Sequence, residues 1–180
     1  MTSLFPLAVA RRWLRLGAVV GAFFTWCGAA QADAYSDVAT LIRTGDTAQA
    51  LAQAQQYLSS NPRDPQMRFL QGSAQSKAGD TAAAVQTFTQ LTEEYPELPE
   101  PYNNLAVIYA SQGQLEQARH ALNQAVRNNP AYAVAYENLG DVYLRLAHEA
   151  YTQSSKLQGA KPALQRKLHD LQPLLQPSQP

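Results

Sequence analysis

Three histidines, one histidine–glutamate pair and the glycine–aspartate pairs at 45–46 and 79–80 are the residues of this 180-residue chain that invite a chemical reading. His148-Glu149 opens the pattern in which two histidines one helical turn apart hold zinc beside a glutamate base. Thr152, however, stands where the second histidine is required. His120 falls on the polar side of a predicted helix, where a solvated imidazole is the ordinary outcome. Gly45-Asp46 and Gly79-Asp80 read better as turns followed by helix starts, where an aspartate carboxylate accepts from unpaired backbone N–H groups. No glycine-rich phosphate loop appears, and no serine has a histidine and an acid arranged around it. A reacting site needs convergent polar groups, so neither catalysis nor a cofactor or metal is expected.

The elements that would position any site begin after an unusual leader. Residues 1–32 hold Arg11, Arg12 and Arg15 and no acid; Leu16 to Ala30 is an almost unbroken apolar run, closed by Ala30-Gln31-Ala32 and Asp33. A basic start, an apolar middle and a small-x-small end describe an export signal cleaved after Ala32. The run is shorter than the roughly 20 residues that span a bilayer comfortably. The expected destination is a bacterial periplasm, and the alternative is retention as an N-terminal membrane anchor. Arg11-Arg12 fits a twin-arginine signal only loosely, and Cys27 follows the bulky Trp26, which disfavours lipidation. Cleavage discards that single cysteine and with it any disulfide or thiolate chemistry. What remains has eleven basic and fourteen acidic residues, so no field suited to nucleic acid is left.

Beyond the leader the chain is periodic. Gly45, Gly79 and Gly113 recur at 34 residues, as do Ala50, Ala84 and Ala118, and Pro62, Pro96 and Pro130. Tyr102, Leu105, Ala106 and Tyr109 fall on one face of a helix, which Gly113 ends by taking positive φ. A second helix, from Glu116 to Asn128, carries Ala118, Leu122 and Ala125 on one stripe, and Pro130 closes the unit. A repeat of this length marks stacked helix pairs.

Tyr102, Leu105, Ala106, Tyr109, Gly113, Ala118, Leu122 and Pro130 together resemble the tetratricopeptide repeat. The preceding unit keeps Gly72, Gly79, Ala84, Phe88, Leu91 and Pro96. Arg68 and Gln71 stand at its usual aromatic and leucine places, beside Phe69 and Leu70, which implies a slightly rotated first helix. The earliest unit keeps Val38, Leu41, Gly45, Ala50 and Pro62 and has a short first helix, about Tyr35 to Arg43. The fourth starts with Tyr136, Leu139, Gly140 and Tyr143, then loses two residues at the turn, where Ala147 replaces glycine. One continuous or kinked helix from Val134 to Leu157 is expected there. The fold class is therefore all-α, a right-handed α-solenoid of about three and a half units over residues 33–162. Residues 163–180 would form a capping helix and a proline-rich disordered tail.

The resemblance implies a non-catalytic protein-binding adaptor or scaffold of the bacterial cell envelope, whose first helices line a concave groove. Candidate groove residues flank the aromatic stripe: Phe69, Asn103, Asn104, Val107, Glu137, Asn138, Asp141 and Arg145. Related domains hold a peptide backbone with an asparagine at the place of Asn104 and Asn138; the other reading is that these amides satisfy an adjacent helix. Arg43, Lys77 and Arg145 recur near the ends of first helices, where a peptide carboxylate or the helix C-terminus itself would favour a cation. The dipole reading is preferred. The expected partner is a protein or peptide, not a small molecule. The alternatives are a membrane-anchored subunit docking through its convex face, an enzyme accessory or weak hydrolase, for which the sequence offers no polar constellation, and self-association through the incomplete first unit.

Overall fold

The computed structural model describes residues 33–159 and 161–175. The expected export signal and Cys27 lie outside the described residues. Helix α1 covers residues 33–44. It is followed by α2 (Thr47–Ser60), α3 (Pro65–Lys77), α4 (Thr81–Glu94), α5 (Pro99–Ser111), α6 (Leu115–Asn128), α7 (Ala133–Gln158) and α8 (Pro162–Leu171). A short 3₁₀ turn, Gln172–Leu175, follows within the stretch expected to be an open tail. No described helix is long and apolar enough to cross a membrane.

Each pair closes through the same local chemistry. Gly45, Gly79 and Gly113 take φ of +91°, +85° and +76°. In this left-handed region a Cβ would be strained. The next residue's N–H then reaches back to the helix: Asp46 to Leu41 O, Asp80 to Gln75 O and Gln114 to Tyr109 O, all at 2.9 Å. These bonds satisfy carbonyls left over at the end of each first helix. Asp46 and Asp80 start the second helices, their carboxylates accepting from Gln49 N at 3.3 Å and Ala83 N at 3.1 Å. The glycine–aspartate pairs at 45–46 and 79–80 are thus structural.

Successive pairs are tied at neighbouring places in the repeat. The Tyr95 hydroxyl donates to Arg63 O at 2.6 Å and Asn128 Nδ2 to Pro96 O at 2.7 Å. Lys77 Nζ donates to Arg43 O at 3.2 Å, and Arg145 Nη1 to Ala110 O at 2.7 Å. The recurring cation near the end of a first helix therefore binds the terminal carbonyls of the preceding first helix.

The core runs through the stack as overlapping clusters. Ala50, Ala84 and Ala118 are fully buried, as are Ala54 and Ala125. A one-carbon side chain at these places lets the pairs close on Phe88, Leu91 and Leu122, each nearly inaccessible. Arg68 solves its misplacement by turning inward, only 9% exposed, and gripping Glu94 through both nitrogens at 2.7 and 3.0 Å. Those charge-assisted bonds hold the Glu94 carboxyl below its usual value.

The fourth unit departs as its missing turn requires. With no breaker between them, its two halves run on as the 26-residue α7, and no second helix folds back onto the first half. Tyr136 and Tyr143 are consequently 50% and 48% exposed, whereas their counterparts Tyr102 and Tyr109 pack against the core.

This contrast gives opposite expectations for two glycines at the same repeat position. A Cβ on Gly72 would lie 2.8 Å from the buried Phe88 ring, whereas one on Gly140 meets nothing within 4 Å. Gly72→Ala should lower stability by about 1–3 kcal/mol through overpacking. Gly140→Ala should raise it by about 0.5–1 kcal/mol through helix propensity. Urea unfolding of both variants checks the pair.

The Arg68–Glu94 contact makes a second prediction. Because Glu94 titrates lower when folded than its usual 4.5, its contribution is complete above that pH and is lost as pH falls below it. Melting temperatures between pH 7 and pH 3 should fall more steeply for the parent than for Arg68→Met. Parallel curves would remove the ion pair from the acid response.

Candidate functional site

Where α5 and α7 face each other, the chain leaves a cavity of about 550 Å³. Val107 and Ala110 supply one wall; Asn138, Asp141 and Arg145 supply the other; Ala106 and Val142 lie deeper; Ser111 is at the edge. The remaining side is formed by Leu174 and Leu175 of the 3₁₀ turn. Helical spacing puts Asn138, Asp141 and Arg145 on one strip of α7, at i, i+3 and i+7. Their backbones are rigid because Leu139 and Val142, on the adjoining strip, are buried against α5 and α6.

The amides are wired together. Asn138 Nδ2 donates to Asn103 Oδ1 at 2.8 Å, and Asn103 Nδ2 reaches Asn104 Oδ1 at 3.4 Å. Asn103 is 5% exposed, so an unpaired amide there would be costly. This run fixes the Asn138 side chain at the cavity wall while consuming part of its capacity. The Arg145 guanidinium spends one of its five N–H donors on Ala110 O, leaving a planar fork beside the cavity. Asp141, four residues before it, is exposed. The site thus joins an apolar wall to an amide, a carboxylate and a guanidinium.

Four of the expected residues meet here: Val107, Asn138, Asp141 and Arg145. The other four do not line this cavity, for distinct reasons. Asn103 is turned into the α5–α7 contact and acts only through Asn138. Asn104 ends the amide run and receives Asn103, so its presumed equivalence with Asn138 fails. Glu137 is exposed away from the cavity. Phe69 is an aromatic core neighbour, its ring centroid 5.8 Å from that of Phe88, because Arg68 took the inward place beside it. Sequence reasoning missed Leu174 and Leu175, whose only visible signal was an aliphatic pair in a proline-rich stretch.

A second cleft, about 630 Å³, opens against α1 and α2. Its lining mixes Asp37, glutamines, serines and Met67 without a cation, so it lacks the mixed charge of the first. No group of three or more metal-ligating side chains occurs among the described residues.

Two family models, each described as tetratricopeptide repeat, match residues 40–99 and 76–139. Together they span more than half of the chain. The chain belongs to the tetratricopeptide repeat family. A TPR repeat-containing thioredoxin, TTL4, from Arabidopsis thaliana is 35% identical over 75 residues, which is 42% of this chain and 11% of that protein. The chain thus spans about a tenth of that relative's length. Among solved structures, TTC0263, a thermophilic TPR protein of Thermus thermophilus, superposes with a TM-score of 0.58 at 25% identity, covering 77% of this chain and 79% of that one. YrrB, described as a TPR protein with an unusual peptide-binding site, gives 0.53 at 25% identity, covering 58% and 54%. The fold is an α-solenoid of tetratricopeptide units, a protein–protein interaction module.

The amide run predicts an asymmetry. Asn138→Ala strips the buried Asn103 of its strong donor and should cost about 1–3 kcal/mol. Asn104→Ala removes a longer, half-exposed contact and should cost less than about 0.5 kcal/mol. Equal losses in denaturant unfolding would mean that the run is not the element holding Asn138.

Proposed function

We propose that this protein is a non-catalytic adaptor of the bacterial cell envelope that holds a peptide segment of a partner in the concave α5–α7 cavity. The observation that carries the reading is the meeting of an open apolar wall with fixed polar groups. Val107 is 49% exposed, facing the side where Asn138, Asp141 and Arg145 converge. A peptide offers side chains to the first and main-chain amides to the second. The amide of Asn138 both donates and accepts, so it suits a backbone of any sequence; Asp141 and Arg145 would select charge on the segment. The peptide-binding site named for YrrB supports the class of ligand, not its sequence.

The periplasmic setting rests on residues 1–32, whose basic start, apolar run and Ala30-Gln31-Ala32 have the order of an export signal. On that reading the working protein begins at Asp33, whose helix opens the array directly.

Both parts are testable in the native host. A photo-crosslinking residue in place of Val107 should trap a partner, whereas the same residue in place of Gln86, exposed on α4, should not. Trapping only from Gln86 would move the interface to the convex face. The intact mass of the endogenous protein should correspond to a chain starting at Asp33; a mass retaining residues 1–32 would overturn cleavage in favour of an anchored protein.

A further inference from the structure

The segment after α7 is built unlike the rest of the array. Gly159, with φ +76°, breaks the long helix and turns the chain back. Neither α8 nor the following 3₁₀ turn contains a fully buried residue. Leu164, Leu168 and Leu171 are half-buried, and Lys167 Nζ stands 5.0 Å from the Tyr151 ring centre. Few buried contacts mean that such a segment opens at low cost compared with the core. Yet this loosely held strap delivers two leucines to the cavity that α5 and α7 leave between them. Leu174 remains 61% exposed there, so the turn does little to complete the fold. It lines one side of the cavity that Val107 and Ala110 line as the apolar wall, and packs against α7.

We propose that the α5–α7 cavity recognises a short segment carrying adjacent leucines, and that Leu174-Leu175, seated along one side of it, competes with a partner segment for that place. This deepens the groove-binding reading above and rests on it. The leucine pair shares one cavity with the apolar wall of Val107 and Ala110 and with the polar groups of Asn138 and Arg145. A partner segment of the same aliphatic character would make the same contacts. Because the resident segment is tethered, it presents itself at high effective concentration, and only a better or more abundant ligand replaces it.

The experiment uses the chain from Asp33 to Pro180 with a benzophenone residue in place of Ser111, at the cavity edge. Irradiation should give an intramolecular crosslink to residues 172–175, identified by peptide mass spectrometry. The probe for displacement is a biotinylated synthetic peptide with the sequence of residues 171–180. In the Leu174→Asp/Leu175→Asp variant the internal crosslink should vanish. Capture of the peptide should then rise at least about tenfold over the parent, as expected when a tethered competitor at roughly millimolar effective concentration is removed. Leu174→Met/Leu175→Met should restore the parent behaviour, and unchanged helicity excludes unfolding as the cause. No internal crosslink, or equal peptide capture by parent and variant, overturns the proposal. Failure of the groove as a partner site reads differently: the internal crosslink and peptide competition persist while the residue at 107 traps no foreign protein.

Discussion

Close approach of helices at places with one side-chain carbon or none is the constraint on which this array depends. Ala50, Ala84 and Ala118 are fully buried, and the Gly72 backbone lies against the Phe88 ring. A larger residue at any of them would separate a pair and open the space that Phe88 and Leu122 now fill. Hydrophobic burial supplies the favourable term, but the small residues decide where two helices can touch. The 34-residue period follows, because each contact must recur once per pair.

The fourth unit shows what happens when the geometry is interrupted. Removing two residues and the glycine at the turn forbids the tight reversal, so the backbone continues as helix and satisfies its hydrogen bonds within α7. The helix that would have covered Tyr136 and Tyr143 is instead the second half of α7, and both rings stay half exposed. Reversal is postponed to Gly159, where positive φ is again available. The postponed return brings α8 along α7 and its 3₁₀ turn to the inner cavity. One lost turn therefore explains both the long helix and the leucine pair at the side of the cavity.

Much of this was legible in the sequence because it is local or periodic. The glycine φ values, the caps by Asp46 and Asp80, and the continuous α7 each follow from residues within a few positions. The candidate site was half legible. Asn103 and Asn104 are neighbours on one helix, about 100° apart, and either could face inward. Which one does so is set by Asn138, a residue 35 positions from Asn103. Phe69 was misread for a similar reason. Once Arg68 paired with Glu94 it took the inward place, and the ring beside it turned to Phe88. For Leu174 and Leu175, composition pointed to an open tail; their neighbours Val107 and Ala110 come from a helix far earlier in the chain, beyond any local pattern.

The wiring of the polar side chains also constrains how such a groove can discriminate. A row of amides free along every unit would hold any peptide backbone, whereas here one of three is buried and a second receives it. On the proposed reading, backbone capture is thereby concentrated at Asn138. Arg43, Lys77 and Arg145 look like a ladder of cations in the sequence, but Lys77 and Arg145 are directed onto the terminal carbonyls of the preceding first helix. Only Arg145 also reaches the cavity. On the same reading, with both rows reduced to single contacts at one place, electrostatic selection is confined to that position. Elsewhere along a bound segment, the proposed groove would discriminate by apolar shape between Val107 and Ala110, the property that an adjacent leucine pair satisfies.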